Sequence, residues 1–219
     1  QCIYDGAATV EGVTSRRVET VEEVRACLER GEIPVRVDPE AAIRTQMPFD
    51  AQVDAILAKH NVNTRMDDAP IVLALGPGFT AGVDCHGVIE TKRGHYLGRL
   101  ILEGAAIPNT GVPGDVGGYT TQRIIRAGRD GIFRPVAHIG DTVSEGDVVA
   151  TVDGEPVYAL MPGTVRGMLP DGLRVKRGMK SGDIDPRCEY DHCFTISDKA
   201  RAIGGGVLEG LLYFRNRQR

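Results

Sequence analysis

An internal repeat constrains the fold of this chain more than any other feature of its sequence. Shifting the sequence by 32 positions places Gly131, Arg134, Gly140, Val143 and Gly146 on Gly163, Arg166, Gly172, Val175 and Gly178. Each copy holds a short apolar run, two glycine turns and a closing apolar strand. Because one such unit cannot bury its apolar face alone, two copies are expected to pack together. The sequence therefore predicts an all-β module over residues 128–187.

The turns of this repeat resemble those of the barrel-sandwich hybrid found in biotinyl and lipoyl carrier domains. They read GDTVSEG from Gly140 to Gly146 and GLRVKRG from Gly172 to Gly178. In carrier domains the modified lysine lies on the hairpin between the two halves. The corresponding segment here, Asp153 to Val157, contains no lysine. Since an amide with biotin or lipoate requires an amine, neither cofactor is expected, and the module is interpreted as structural or as a docking surface.

Composition and charge exclude several classes of protein. A chain of 219 residues has room for one large or two small domains. Its net charge of −4 argues against a nucleic-acid-binding surface, and the basic run at 215–219 is interpreted as a solvated tail. No apolar run approaches the roughly 20 residues that span a bilayer, so no membrane association is expected. Five scattered cysteines favour reduced thiols and a cytoplasmic location.

The remainder of the chain is expected to form a mixed α/β body. Thr20 and Glu23 form the pattern of a capping box before a helix that ends near Gly31 and buries an apolar face. A strand follows at Ile33–Val37, and this order of elements is typical of a doubly wound α/β unit. The predicted fold class is α/β, with the barrel inserted in the body and a C-terminal helix. The expected domains are residues 1–127, 128–187 and 188–219. The expected buried face of the first helix contains Val21, Val24, Cys27 and Leu28.

A glycine-rich loop follows the apolar strand Pro70–Leu75. It runs from Gly76 to Gly82 and includes Gly78 and Thr80. A loop of this kind lets backbone amides approach an anionic or planar ligand, or it provides a tight turn that needs positive φ angles. Both interpretations remain open from the loop alone. A proline- and glycine-rich stretch from 104 to 118, which contains Asn109 and Thr110, is a second candidate binding loop.

Polar side chains are concentrated directly after the glycine-rich loop. A strand is expected over Val83–Thr91, and its period of two would place Asp84, His86 and Glu90 on one face. Arg93 and His95 follow. The candidate acid–base residues are Asp84, His86, Glu90 and His95.

Metal ligation is a weaker alternative for two groups of side chains. The first group is His86, His95 and a carboxylate, and the second is Cys188, His192 and Cys193. Neither has a recognised ligand spacing, so no metal site is predicted.

The C-terminal segment predicts a helix that Ser197 caps. Its expected apolar face contains Ile203, Val207, Leu208, Leu211 and Leu212. Gly204, Gly205 and Gly206 interrupt it, each at a cost of about 1 kcal/mol relative to alanine. The run therefore indicates a break in the helix, or backbone that approaches a ligand or another strand closely.

Long stretches of the sequence resemble the YqeB family of selenium-dependent molybdenum hydroxylase system proteins. They read DDAPIVLALGPGFTAGVDCHGVIETKRGHYLGRLI, PNTGVPGDVGGY, SGDIDPR and TISDKARAIGGGVLEG. The resemblance implies an accessory protein encoded with molybdenum hydroxylases. Full-length members begin with a Rossmann-like segment that is lacking here. Since the chain also starts at Gln1, an N-terminal portion is expected to be missing. The run from Ile203 to Glu209 is similar to the IGGGxLE motif of XdhC/CoxI chaperones, which bind and hand over molybdenum cofactor.

The leading hypothesis is therefore a maturation factor that binds molybdenum cofactor or a precursor. The barrel would dock the hydroxylase client, and a homodimer is expected. The candidate cofactor-binding residues are Gly76, Gly78, Thr80, Arg93, Asn109, Thr110, Gly204, Gly205, Gly206 and Glu209. Two alternatives remain. One is an enzyme that uses the acid–base residues or transfers sulfur or selenium through Cys85, and the other is a non-catalytic scaffold.

Overall fold

A computed structural model describes residues 1–112 and 114–217 of the chain. The chain forms two compact units, one made of Gln1–Thr110 with Ile196–Arg219 and the other of Gly111–Thr195. The domain boundaries expected at 127/128 and 187/188 both fall inside the second unit. Many strands in several sheets, with few helices and a long helix at the C-terminus, confirm the mixed α/β class.

The first unit opens with a small sheet. Helix α1 (Cys2–Asp5) precedes strands β1 (Ala7–Val10) and β2 (Val13–Arg17), and helix α2 (Val21–Glu29) leads to β3 (Ile33–Val35). β1 and β2 are antiparallel, whereas β2 and β3 are parallel.

Helix α2 begins with the expected capping box. The Glu23 amide donates to the Thr20 hydroxyl at 3.2 Å, and the Thr20 amide donates to the Glu23 carboxylate at 3.2 Å. Two backbone amides at the start of the helix, which have no acceptor within it, are thereby satisfied.

The buried face of α2 is narrower than the sequence predicts. Val24 and Cys27 are buried together with Val18, whereas Val21 is half-buried. Leu28 is 52% exposed, so its expected burial is wrong. The cluster beneath this helix contains Val18, Val24 and Cys27, with Ile43 and Met47 packed against it.

A second sheet of the first unit carries the candidate site. It contains β4 (Ala51–Asp54), β5 (Ile71–Leu75), β7 (Gly87–Ile89) and β8 (Leu100–Ile101) in the order β4-β5-β7-β8. The first three strands are parallel and β8 is antiparallel. A separate pairing joins β6 (Thr80–Ala81) to β9 (Gly104–Ala105), and a 3-10 helix spans Ala42–Thr45. Every residue of β5 is buried, as a central parallel strand requires.

Helix α3 (Asp198–Arg217) packs on β5, β7 and β8 of this sheet. The Ala200 amide donates to the Ser197 hydroxyl at 3.1 Å, which confirms the predicted cap. The helix runs without interruption through 204–206, so a break there is excluded.

The predicted apolar face of α3 is wrong in part. The buried residues of the helix are Gly206 and Gly210. Leu208 and Leu212 are exposed, whereas the other members of the expected face, Ile203, Val207 and Leu211, are half-buried. Glycine rather than leucine therefore lies at the centre of the contact with the sheet.

The glycines of α3 allow the helix to approach the sheet closely. A methyl group at Gly206 would collide with the Gly98 carbonyl oxygen, and one at Gly210 would lie 2.9 Å from the Leu73 side chain. Tertiary packing of this kind offsets the low helix propensity of glycine. The glycine run in the sequence indicates that the backbone approaches a ligand or another strand closely. In the structure, Gly206 makes this close approach to other segments of the same chain.

In its described residues, 111–112 and 114–195, the second unit is a sandwich of two four-stranded sheets. The strands are β10 (Ile124–Arg126), β11 (Gly131–Pro135), β12 (Thr142–Val143), β13 (Val148–Val152), β14 (Glu155–Tyr158), β15 (Gly163–Met168), β16 (Arg174–Val175) and β17 (Lys180–Asp185). The sheets have the strand orders β10-β17-β15-β12 and β14-β13-β11-β16, and 3-10 helices span Thr121–Arg123 and Tyr190–Cys193.

The sequence repeat appears in this unit as an internal two-fold relation. The repeat shift carries β10–β13 onto β14–β17, and this operation exchanges the two sheets. The hydrogen bonds repeat with it: Phe133 N donates to Leu173 O at 2.8 Å, and Val165 N donates to Asp141 O at 2.8 Å. Each sheet contains two strands from each copy, and pairings such as β11 with β16 and β12 with β15 join the copies.

The two sheets share one core. Its members include Phe133, Val149, Val152, Val165 and Ile184, all fully buried. The expected sandwich built from two copies is confirmed.

The two-fold relation extends beyond the strands that the sequence pattern shows. It includes β10 and β14, where Gly178 N donates to Ala127 O as Gly146 N donates to Ala159 O. These outer strands complete both sheets.

Candidate functional site

The glycine-rich loop begins at the carboxyl end of β5, and its second half contains the short strand β6. In open parallel sheets, ligands bind at the carboxyl ends of the strands. Gly76 has a φ of 77°, and a methyl group there would lie 2.5 Å from the Thr91 hydroxyl. The Gly76 amide donates to Ile89 O at 2.8 Å, which fastens the start of the loop to β7.

The second half of this loop is closed by its own hydrogen bonds. The Thr80 amide donates to the Asp84 carboxylate at 2.7 Å, and the amides of Val83 and Asp84 donate to Thr80 O. Gly82 N donates to Cys85 O at 2.8 Å. Thr80 and Asp84 thus stabilise a turn.

The strand expected over Val83–Thr91 is therefore reduced to β7, Gly87–Ile89. Asp84 precedes it in a turn, so Asp84, His86 and Glu90 do not lie along one strand face. The cause is the Asp84 carboxylate, which caps a backbone amide and replaces extended structure with a turn.

The side chain of His86 contributes to the packing of the fold. Its Nδ1 accepts a hydrogen bond from the Val72 amide at 3.0 Å, and its amide donates to Val72 O at 2.8 Å. The ring lies edge-on to Phe214 with centroids 5.6 Å apart. Because Nδ1 is an acceptor here, the imidazole holds β5 and α3 rather than facing a ligand.

Glu90 is a deeply buried carboxylate, with 2% of its surface exposed. One oxygen accepts from the Lys92 amide and the other from the Ile107 amide, each at 2.8 Å. Glu90 also lines a pocket of about 470 Å³ together with Tyr96 and Arg99. Two charge-assisted hydrogen bonds compensate for the burial of its charge.

Arg93 connects the loop after β7 to the first turn of α3. Its guanidinium donates to both oxygens of Asp198 at 2.6 and 3.0 Å. His95 is exposed and contacts Tyr96 edge-on, with ring centroids 5.0 Å apart. In the described residues, no hydrogen bond joins His95 to Asp84 or His86.

The remaining predicted binding residues do not join this group. Asn109 and Thr110 are exposed in the irregular segment after β9. The exposed members on α3 are Gly204, Gly205 and Glu209. The IGGG run contributes to packing through Gly206, which contacts Gly98.

We call the first half of the loop open because its amides lack protein acceptors, although Phe79 itself is buried, with 3% of its surface exposed. Gly78 is exposed and has a φ of 110°, and a methyl group there would lie 2.6 Å from the His60 backbone nitrogen. In residues 1–112 and 114–217, the consecutive amides of Gly78 and Phe79 donate to no protein acceptor. Successive amides without acceptors are a recognised anion-binding feature.

Lys59, which the sequence analysis does not select, lies beside this half of the loop. A methyl group at Gly78 would lie 2.8 Å from the Lys59 carbonyl carbon, so the two backbones are in close contact. The side chain of Lys59 is exposed.

Lys199, in the first turn of α3, is a second lysine of this region and is half-buried. Burial lowers the pKa of its ammonium group, and the charges of Arg93 and Lys59 lower it further, while Glu90 and Asp198 oppose this. In the sequence, Lys199 could have been noticed because it is a lysine at the start of a helix, where acidic residues are favoured.

Cys85 does not have the properties of a sulfur or selenium carrier. It is fully buried, and its thiol donates to Gly87 O at 3.4 Å. Burial raises the pKa of this thiol to about 11, and the charge of Asp84 adds to the shift. A reactive cysteine needs an accessible thiolate.

Metal ligands are not assembled in the described residues. Across 1–112 and 114–217, no group of three or more His, Cys, Asp or Glu side chains is placed to hold an ion. Cys188 donates to Pro186 O, and Cys193 donates to Val165 O. His192 buries its Nδ1 without a hydrogen-bond partner in this part of the chain.

No helix among the described residues is both long enough and apolar enough to span a membrane.

Fold and site together define an α/β unit with an open glycine-rich loop, accompanied by a barrel-sandwich hybrid built from two copies of one repeat. No protein-family model matches the chain. Over 212 residues, which are 97% of this chain, it is 54% identical to the Escherichia coli (strain K12) protein named "Uncharacterized protein YqeB". This similarity supports the expected relationship to the YqeB family. The chain spans 39% of that relative's length.

Two solved structures are distantly similar. One is an aspartoacylase family protein from Mesorhizobium loti, 19% identical over 38% of this chain and 32% of that one, with a TM-score of 0.27. The other is a succinylglutamate desuccinylase/aspartoacylase from Rhodobacter sphaeroides, 19% identical over 53% and 45% of the two chains, with a TM-score of 0.27. Likeness this weak carries no argument about function.

Proposed function

We propose that this chain is part of an accessory protein of a selenium-dependent molybdenum hydroxylase system. Its α/β unit binds molybdenum cofactor or a precursor at the first half of the glycine-rich loop. The barrel-sandwich hybrid docks the hydroxylase client. The protein acts in the cytoplasm and retains its ligand without turnover.

The observation that carries the binding proposal is the pair of amides at Gly78 and Phe79. They lie at the carboxyl end of β5, where open α/β sheets bind ligands, and they have no acceptor in the described chain. These donors suit the anionic part of a molybdopterin. The resemblance in the sequence supports the choice of a molybdenum hydroxylase system.

The same geometry disfavours the enzyme alternative. Three of the four acid–base candidates, Asp84, His86 and Glu90, are each engaged with backbone amides, the fourth, His95, is exposed, and Cys85 is buried with a raised pKa. This arrangement favours recognition of a ligand over catalysis.

The test is to purify the chain from cells that synthesise molybdenum cofactor. Bound molybdenum, selenium and zinc are measured together with the fluorescence of oxidised pterin. We expect pterin close to one equivalent per chain. Protein that carries no pterin, although the cells make the cofactor, contradicts the proposal.

A pair of glycine variants locates the ligand. Gly78→Ala would push against the His60 backbone and distort the open half, so bound pterin should fall at least about tenfold, as the loss of one or two hydrogen bonds implies. Gly82→Ala is the matched control, because Gly82 also has a positive φ of 85° but no atom within 4 Å of the added methyl. Equal loss in both variants would contradict a ligand in the open half.

A further inference from the structure

We propose that Lys59, Lys199 and the amides of Gly78 and Phe79 form a binding site for a phosphoryl group. The natural ligand group is a phosphate monoester or a diphosphate. This inference deepens the proposed function, and it rests on that proposal in treating the open half of the loop as a ligand site. It adds the two side chains and the chemical class that they recognise.

The first step of the argument is the position of Lys59. Gly78 contacts the backbone of Lys59 and His60, so the Lys59 side chain starts beside the two amides. The segment that contains this lysine therefore forms one wall of the open half of the loop.

The second step is the position of Lys199. Its neighbour Asp198 is paired with Arg93, and this pair holds the first turn of α3 against the loop after β7. One turn later, Ala202 approaches Gly98 so closely that a methyl on the glycine would lie 2.5 Å from the Ala202 carbonyl oxygen. The loop after β7 borders the glycine-rich loop, since a methyl group at Gly76 would lie 2.5 Å from the Thr91 hydroxyl, so Lys199 lies in the same region as that loop.

The third step is the charge of these side chains. Within 1–112 and 114–217, no carboxylate lies at ion-pairing distance from the ammonium group of Lys59 or Lys199. Lys199 is half-buried, so it loses hydration without gaining a direct partner. A charge in this position costs free energy unless a counter-ion is bound. The neighbouring carboxylates are engaged elsewhere, Glu90 with two backbone amides and Asp198 with Arg93.

The fourth step is the class of anion. Two amide donors and two ammonium groups match a group with several oxygens and about two negative charges. A carboxylate has one charge and two oxygens, so it would leave one ammonium group uncompensated. Phosphate monoesters and diphosphates satisfy both requirements. The Arg93 guanidinium is bound by Asp198 and serves to position the helix.

The experiment is calorimetric titration of the whole chain with inorganic pyrophosphate and, separately, with acetate. We expect saturable binding of pyrophosphate that weakens with salt, and no binding of acetate. Lys59→Gln and Lys199→Gln should each weaken pyrophosphate binding by roughly tenfold. Lys199→Arg keeps the charge and should stay within about threefold of the unchanged chain.

The matched control is Lys176→Gln, an exposed lysine of the second unit. It makes the same charge change and should leave the affinity within about twofold. Thermal melting of each variant verifies that it is folded. Absence of pyrophosphate binding, or equal weakening by Lys176→Gln, overturns the phosphoryl site.

The outcomes separate this inference from the proposed function. If pyrophosphate binds as described but no pterin is retained from cells, the phosphoryl site stands and the cofactor proposal fails. If Lys59→Gln and Lys199→Gln both retain pterin in full, the cofactor proposal stands and the phosphoryl site is overturned.

Discussion

The two units of this protein use glycine in different ways. In the barrel, glycines of positive φ recur at the spacing of the repeat, for example Gly146 at 89° and Gly178 at 80°. In the α/β unit, Gly76, Gly78 and Gly206 follow no period, and a side chain at each would collide with a neighbouring segment, as it also would at Gly163 of the barrel. The first kind is visible in a sequence as a period. The second kind depends on a partner that is distant in the chain, so only the structure shows it.

The largest expected effect comes from a glycine of the second kind, Gly206 in α3. Gly206→Ala places a methyl group against the Gly98 carbonyl, and we expect it to lower the free energy of unfolding of the first unit by about 3 kcal/mol. Gly205→Ala is the control, since nothing lies within 4 Å of its methyl, and it should stabilise the helix by up to about 1 kcal/mol. Urea unfolding followed by far-UV circular dichroism measures both. Equal effects would show that α3 does not pack through Gly206.

The next test compares Gly131 and Gly163, which occupy equivalent positions in the two copies of the barrel. A methyl at Gly163 would lie 2.6 Å from the backbone oxygen of Asp185, whereas at Gly131 the first obstacle is the side chain of Asp153. Because a side chain can rotate away, Gly163→Ala should cost about 2 kcal/mol more than Gly131→Ala. Hydrogen exchange of the barrel core amides provides the comparison. A larger loss in Gly131→Ala would contradict this reasoning.

A pH titration tests a second difference between the copies. Hydrogen bonds from Arg187, aided by the charge of Arg166, lower the pKa of the Asp185 carboxyl to about 2. Its counterpart Asp153 accepts from the Ile132 amide instead. A lowered carboxyl pKa stabilises the fold above the unfolded value of about 3.9, and this contribution disappears as the pH falls toward the folded pKa.

The expected size of this effect is up to about 2 kcal/mol of barrel stability. Thermal melting between pH 5 and pH 2 should show a steeper loss for the unchanged chain than for Asp185→Asn. Parallel curves for the two proteins would remove Asp185 from the explanation.

The smallest effect tests whether the turns of the two copies are equivalent. Gly146→Ala and Gly178→Ala each place alanine at a positive φ in open space, so each should cost about 1 kcal/mol. Denaturant unfolding should give the same value for both within error. A difference between the two variants that is as large as the effect itself would show that the turns are not equivalent.

The sequence predicts those elements whose signals do not depend on a distant partner. The repeat predicts the sandwich, the Thr20 capping box predicts α2, and Ser197 predicts the start of α3. The sequence gives no comparable signal for the outer strands β10 and β14. Ala127 and Ala159, which follow these strands, are equivalent in their backbone hydrogen bonds, and their side chains are not distinctive.

The candidate site is harder to predict because its parts are distant in sequence. Alternation predicts one polar face, but Asp84 caps the Thr80 amide and His86 accepts from the Val72 amide. The open half of the loop lies within the region that the sequence singles out, and its binding role stays a prediction. Lys59 and Lys199 lie far apart in the chain and act on each other only through the fold.

The central claim is that the first half of the glycine-rich loop is open to an anion and the second half is not. Amide NMR during a titration with pyrophosphate tests it directly. The account predicts that the signals of Gly78 and Phe79 shift and saturate, while those of Gly82 and Gly146 remain in place. Unchanged signals for Gly78 and Phe79, with shifts only at Gly82 or in the barrel, would contradict it.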